Sequence, residues 1–141
     1  MSMRRVTLPG LLLATLSACA TPTREPAASE SAPKAMACPT QKLSFTQETG
    51  CRNDGSVELC LPTGDAALLA RVKAIAPTLQ EAGASRGRAG CNVPEETLYF
   101  LPTGEAECVA RHGALTPAAW DTVCRLAELP EVHRLVPTWF E

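Results

Sequence analysis

The chain of 141 residues has few aromatic side chains: three Phe, two Trp and one Tyr. A folded domain of this size therefore has to build its core mainly from Ala, Leu and Val. The sequence also lacks an apolar run of the roughly 20 residues that a helix needs to cross a bilayer. Its length predicts one domain, because two domains would each bury too little surface to be stable.

Several motifs that mark chemistry are missing as well. No Cys-x-x-Cys pair occurs, which argues against a thiol–disulfide exchange enzyme and against a zinc ribbon. No Gly-Lys-Ser or Gly-Lys-Thr occurs, so a Walker-type phosphate loop is excluded. Of the two histidines, His133 has no matching partner by spacing.

The N-terminus has the order of a secretory signal peptide. Arg4 and Arg5 precede an apolar stretch, residues 6–16, and the small residues Ser17 and Ala18 follow it. The apolar stretch is about half of the length that a lasting transmembrane helix needs. We therefore expect residues 1–18 to be removed.

The four residues Leu16-Ser17-Ala18-Cys19 resemble the lipobox of bacterial prolipoproteins. The resemblance covers the leader alone, and it implies a diacylglyceryl group on the sulfur of Cys19. Because acyl chains contribute about 0.8 kcal/mol per buried methylene, two or three of them hold a soluble domain on a membrane. Ala20 is not the aspartate that retains such proteins in the inner membrane of enterobacteria, so we expect delivery to the outer membrane.

Beyond Cys19 the composition predicts a tether and then a folded domain. Residues 19–37 are mainly Thr, Pro, Ala, Ser and Glu, which bury too little apolar surface to fold, so the domain is expected at residues 38–141. Loss of Arg4 and Arg5 leaves 11 basic against 15 acidic residues, a net charge of −4. A nucleic-acid partner is not expected, because it needs a positive field.

Six cysteines remain when Cys19 is set aside for the lipid. They are Cys38, Cys51, Cys60, Cys91, Cys108 and Cys124. An even number in an exported chain predicts three disulfides, although six cysteines allow 15 pairings and the spacing does not choose among them. Each disulfide adds roughly 2 to 4 kcal/mol, which a core with few aromatics needs.

The sequence contains an internal duplication. Residues 50–77 match residues 90–117 without a gap at a period of 40 residues. The identical pairs are Gly50 and Gly90, Cys51 and Cys91, residues 61–64 and 101–104 (Leu-Pro-Thr-Gly), Ala66 and Ala106, Ala70 and Ala110, Arg71 and Arg111, Ala74 and Ala114, and Pro77 and Pro117. Two copies are too few for a solenoid, so we expect them to pack as a pair around one core.

Each copy is predicted to run from a strand into a helix. Residues 57–61 and 97–101 have strand composition and end at a proline. Thr63 and Thr103 then suit the N-cap of a helix. A second helix is expected to begin at Pro77 and at Pro117, where a proline in the first turn costs no hydrogen bond. Residues 41–46 and 132–136 are predicted to add strands. The expected fold is α+β, or small α/β, with three or four short strands in one disulfide-stapled domain.

No arrangement of residues predicts catalysis or metal binding. Cys108 and His112 have the spacing of metal ligands on a helix, but a histidine before Gly113 more often contacts the last carbonyls of a helix. Glu105 and the neighbouring acidic residues are interpreted as solvated surface. We therefore expect no catalytic residue, no metal and no cofactor.

The leading functional hypothesis is a non-enzymatic lipoprotein of the cell envelope that binds a protein or a polymer and contacts the membrane through its lipid anchor. One alternative is a small hydrolase of cell-wall or extracellular polymer that uses acids near Glu105 or His112. The other is a protein inhibitor or immunity factor, which the small size and the disulfides favour.

Overall fold

The computed structural model describes residues 37–52 and 55–139. The lipobox, Cys19 and all of the tether except residue 37 lie outside these ranges. The described elements are two short 3₁₀ helices (Thr40–Lys42 and Gln47–Thr49), β1 (Gly55–Pro62), α1 (Ala66–Ile75), β2 (Gln80–Gly83), β3 (Glu96–Thr103), α2 (Pro117–Glu128) and β4 (Leu135–Trp139). Four strands and two helices confirm the predicted α+β class.

The four strands form an antiparallel sheet in the order β2-β3-β1-β4. In the central pair, Leu59 of β1 lies opposite Tyr99 of β3. These residues are 40 positions apart, so equivalent residues of the duplicated segments meet at the middle of the pair. The β1–β3 pair therefore has a local two-fold relation, and the two copies share one core as predicted.

The two helices begin at well-defined caps. The Oδ1 of Asp65 accepts a hydrogen bond from the backbone N–H of Leu68 at 2.9 Å, which starts α1. At α2 the Oγ1 of Thr116 accepts from the N–H of Ala119 at 3.1 Å, and Pro117 follows in the first turn. The predicted start of the helix at Pro117 is confirmed.

The core is built from small aliphatic side chains, as the shortage of aromatics predicts. Val57, Leu59 and Leu61 of β1 point to one face of the sheet, where α1 and α2 cover them. Ser56 and Glu58 point to the other face, here called the outer face, which the loop of residues 84–95 covers. Both faces of β1 are therefore buried.

Three disulfides cross-link the domain in a nested order, with Cys60 bonded to Cys91, Cys51 to Cys108 and Cys38 to Cys124. Their sequence separations are 31, 57 and 86 residues. The predicted number of disulfides is confirmed, and the pairing is the feature that spacing left open. Because such bonds persist in oxidising compartments, they indicate an extracytoplasmic protein.

Two predicted helices do not form. Residues 104–113 of the second copy are a loop, and residues 77–79 are a turn into β2. In the first copy Asp65 is the cap, but the longer side chain of Glu105 replaces it in the second. Pro77 follows Ala76, which offers no cap oxygen, whereas Pro117 follows Thr116.

The predicted capping by Thr63 and Thr103 is wrong. Thr63 hydrogen-bonds to the hydroxyl of Thr97 at 2.9 Å, and the Oγ1 of Thr103 is buried without a partner among the described residues. Residues 41–46 do not form a strand either, because short-range backbone bonds fold residues 40–42 into a 3₁₀ turn. The last strand begins at Leu135, three residues later than predicted.

Candidate functional site

The loop of residues 104–113, here called the 104–113 loop, joins β3 to the cap of α2 and is fixed to the rest of the domain. Cys108 is bonded to Cys51, whose backbone N–H donates to the carbonyl of Gly113 at 3.0 Å. At the other side, the N–H of Thr116 donates to the carbonyl of Glu107 at 2.8 Å. A loop held at three points loses little conformational entropy when a partner binds.

Acidic and basic side chains of this loop line one concave surface of about 600 Å³. Glu105, Arg111 and His112 border it, and the Cys51–Cys108 disulfide forms part of its wall. His112 has φ +60°, and its Nδ1 lies 3.0 Å from the carbonyl oxygen of Arg52. The sequence predicted that His112 would lie at the end of a helix. In the structure it instead joins the loop to the segment before β1.

One apolar side chain projects from the same loop. Val109 is 69 % exposed, and among the described residues the only other exposed large apolar side chain is Val93, at 39 %. Its neighbour Cys108 is half-buried and covalently fixed. A single exposed valine is ordinary on a protein surface. Because loops positioned by a rigid scaffold often carry binding residues, Val109 is the candidate on this loop for an apolar contact with a macromolecule.

Two glutamates at opposite ends of β3 accept backbone hydrogen bonds. The Oε2 of Glu107 accepts from the N–H of Gly104 at 2.8 Å, which closes the first turn of the loop. The Oε2 of Glu96 accepts from the N–H of Asn92 at 2.7 Å. Glu105 is exposed and lies on the same concave surface as His112.

Metal binding is not favoured at the three cysteines that have a possible co-ligand. Cys108, the possible partner of His112, is consumed by its disulfide. Ligand atoms of Cys60, Cys91 and Glu96 lie within 4.8 Å of one another, but the two sulfurs are bonded to each other. A disulfide sulfur has no thiolate charge to offer a metal ion.

Sequence patterns did not single out Glu58, which has the most deeply buried acidic side chain among the described residues. Glu58 is 3 % exposed, and its Oε2 accepts from the N–H of Arg88 at 2.5 Å and of Ala89 at 3.0 Å. Its Oε1 accepts from the hydroxyl of Thr138. The sequence did contain a signal for this, because Glu58 is a charged residue between the apolar residues Val57 and Leu59 of a predicted strand. It fixes the loop of residues 84–95 and carries no sign of a reactive role.

Ser85 has the spacing of a nucleophile elbow, in Gly83-Ala84-Ser85-Arg86-Gly87, but not its context. That motif places serine between a strand and a helix, whereas a turn and no helix follows β2. The Oγ of Ser85 accepts from the N–H of Gly87 at 3.3 Å. Gly83 and Gly87 therefore belong to the turn that follows β2.

A second polar concavity lies at the start of α1. Tyr99, Glu81 and Asp65 line it, and its volume is about 250 Å³. Burial, and to a smaller extent the nearby carboxylate of Glu81, raise the pKa of Tyr99. The neutral phenol is therefore favoured as a hydrogen-bond donor to that carboxylate.

In the described part of the chain, no helix is long and apolar enough to cross a membrane. Comparison with protein-family models, with curated proteins and with solved structures finds no match to this chain.

Proposed function

We propose that this protein is a lipoprotein of the bacterial cell envelope whose domain binds an envelope protein or polymer without catalysing a reaction. The observation that carries the proposal is the exposed Val109 on a loop held by the Cys51–Cys108 disulfide. Burying a side chain of this kind against a partner gains apolar contact at a small cost in entropy.

The use of polar groups for structure supports binding over catalysis. Glu58 and Glu107 accept backbone hydrogen bonds, and Asp65 caps α1. A catalytic acid or base has to be within reach of a substrate proton. Side chains that already hold loops and helix ends are poorly placed for that task.

The lipid anchor is proposed from the lipobox, with Cys19 as the acylated residue and the outer membrane as the location. The extracytoplasmic compartment indicated by the disulfides is consistent with it. Metabolic labelling with a fatty-acid analogue is expected to mark the wild-type chain and not Cys19→Ser. Labelling of both chains, or of neither, contradicts the anchor.

Partner binding is tested with a photo-crosslinking amino acid at position 109 in the chain expressed in its native envelope. The matched control carries the same amino acid at Ala67, an exposed position of α1. We expect a discrete crosslinked species from position 109 alone. Equal background from both positions contradicts the proposal.

The hydrolase alternative has one observation in its favour, since Glu105 and His112 border the same concave surface. It requires that Glu105→Gln and His112→Gln each abolish release of soluble fragments from purified cell wall. The inhibitor alternative uses the same loop, and a tight one-to-one complex with an exported enzyme that Val109→Asp disrupts would favour it over a structural role.

A further inference from the structure

A small pocket opens between the end of α1, the end of β3 and the first turns of α2, and its volume is about 200 Å³. The apolar part of its wall belongs to Ile75, Leu101, Leu115, Ala119 and Val123. A cavity of roughly 150 Å³ with an apolar lining accommodates a six-carbon ring. The pocket therefore has room for one small ring or a short aliphatic chain, but not for a helix or strand of a partner.

One buried hydroxyl of this pocket lacks a hydrogen-bond partner. Thr103 lines the pocket and is 8 % exposed, and its Oγ1 has no partner among the described residues. Its side chain lies on the same face of β3 as Leu101, which belongs to the core between the sheet and the helices. A buried hydroxyl without a partner costs free energy, so a ligand that supplies the missing bond removes this cost.

Other polar groups of the pocket already have a role in the fold. Thr116 caps α2, and the Oγ1 of Thr122 donates to the carbonyl of Ala118 at 3.1 Å. The Oε2 of Glu107 accepts a backbone hydrogen bond at 2.8 Å. Among the described residues, no lysine or arginine lines the pocket, so an anionic ligand is disfavoured. A cation is disfavoured too, because burial of a charge costs more than burial of a hydroxyl unless the charge is fully paired.

We propose that this pocket binds a small uncharged alcohol whose apolar body is a single ring or a short chain. The hydroxyl of the ligand bonds to the Oγ1 of Thr103 as donor or acceptor, since a hydroxyl can be either. The apolar body loses its contact with water against Leu115 and Val123. The lipid and Val109 take no part, so this binding is independent of the proposed function.

The test uses the Cys19→Ser chain with its disulfides intact and follows backbone amide and methyl chemical shifts during titration. The probes are benzyl alcohol, toluene, benzylamine and benzoate, which share one ring and differ in the polar group. We expect saturable shifts at Ile75, Thr103 and Ala119. Benzyl alcohol should bind about fivefold more tightly than toluene, the ratio that one net hydrogen bond gives, and more tightly than either charged probe.

Two valine variants assign this preference to one hydroxyl. Thr103→Val keeps the shape of the side chain, so benzyl alcohol should lose its fivefold advantage while toluene still binds. Thr122→Val is the matched control, because Thr122 lines the same pocket but its hydroxyl already donates to Ala118, and the advantage should remain. Since the Oγ1 of Thr103 has no bond to lose, Thr103→Val should not lower the midpoint of urea unfolding.

Ala119→Leu adds side-chain volume to the pocket while it retains the hydroxyl of Thr103, and it should abolish binding of benzyl alcohol and toluene alike. Equal affinity for these two probes in the parent chain would overturn the proposal, and so would an advantage of the alcohol that survives in Thr103→Val. Tighter binding of benzylamine would assign recognition to Glu107 instead. Shifts that do not saturate, or that persist in Ala119→Leu, would place the probes outside the pocket. A lower urea midpoint for Thr103→Val would mean that the hydroxyl of Thr103 already has a partner.

Discussion

Gly87→Ala tests whether the turn over the outer face is fixed by the carboxylate beneath it. Gly87 has φ +54°, and a Cβ there would lie 2.5 Å from the Oε2 of Glu58 and 2.7 Å from the Cδ2 of Leu98. Neither neighbour has room to retreat, because Oε2 is engaged by two N–H groups and Leu98 is 3 % exposed. The methyl group must therefore displace the carboxylate or the turn.

The size of the effect follows from two contributions. A non-glycine residue in the left-handed region costs about 1 kcal/mol. Loss of one hydrogen bond to the buried carboxylate of Glu58 costs a further 1.5 to 3 kcal/mol, roughly. We expect Gly87→Ala to lower the free energy of unfolding by about 2.5 to 4 kcal/mol, a large part of the stability of a small domain.

Gly90→Ala in the same loop is the matched control. Gly90 has φ +79°, but a Cβ there meets nothing within 4 Å, so only the backbone cost of about 1 kcal/mol applies. In urea unfolding with the disulfides intact, a slope of about 1 to 3 kcal/mol per molar puts the midpoint of Gly87→Ala about 1 M below that of Gly90→Ala. Equal midpoints would refute the role assigned to Glu58.

Three further predictions follow from single contacts. Replacement of Cys51 and Cys108 by Ser, which opens a 57-residue loop, should lower the free energy of unfolding by about 4 kcal/mol in urea, and a loss below 1 kcal/mol would contradict the entropic account. Tyr99 is the single tyrosine, so absorbance at 295 nm reports its titration alone. The midpoint of the Tyr99 titration should lie above 10.0. It should be lower in Glu81→Gln but should stay above 10.0, since burial is the larger cause of the raised pKa. Because the folded state holds this proton more tightly than the unfolded chain, stability is retained below pH 10 and falls as the pH rises above it; a midpoint at or below 10.0 would contradict the burial. Thr116→Ala should cost about 1 kcal/mol by removing the cap of α2. Thr63→Ala should cost less, since Thr63 caps no helix, and equal losses would be inconsistent with the observed caps.

The sequence correctly predicted the strands and the helix whose formation depends on neighbouring residues in the chain. The strand composition of residues 57–61 and 97–101 was sufficient, because their alternate residues fill one core. Thr116-Pro117 was sufficient for α2, since the cap lies within three residues of the atom that it serves. The disulfide pairing could not be predicted, because it depends on which segments meet across the sheet.

The missing helix of the second copy shows where local patterns fail. Leu68 holds α1 against the core, and the equivalent residue is Cys108, which is bonded to Cys51. Cys108 is smaller than Leu68 and only partly buried, so it offers less apolar surface to hold a helix against the core. The concave surface beside the 104–113 loop could not be predicted either, since Cys51 and Cys108 both line it and the spacing of the cysteines did not predict their bond.

The disulfides also explain why the two copies differ. Under the local two-fold relation, the counterpart of the Cys60–Cys91 bond would join Phe100 to Cys51, and phenylalanine offers no sulfur. Cys51 bonds to Cys108 instead. That bond holds residues 104–113 as a loop, with Val109 exposed beside it. The departure from symmetry and the proposed binding loop therefore meet at the Cys51–Cys108 cross-link, which has no counterpart in the first copy.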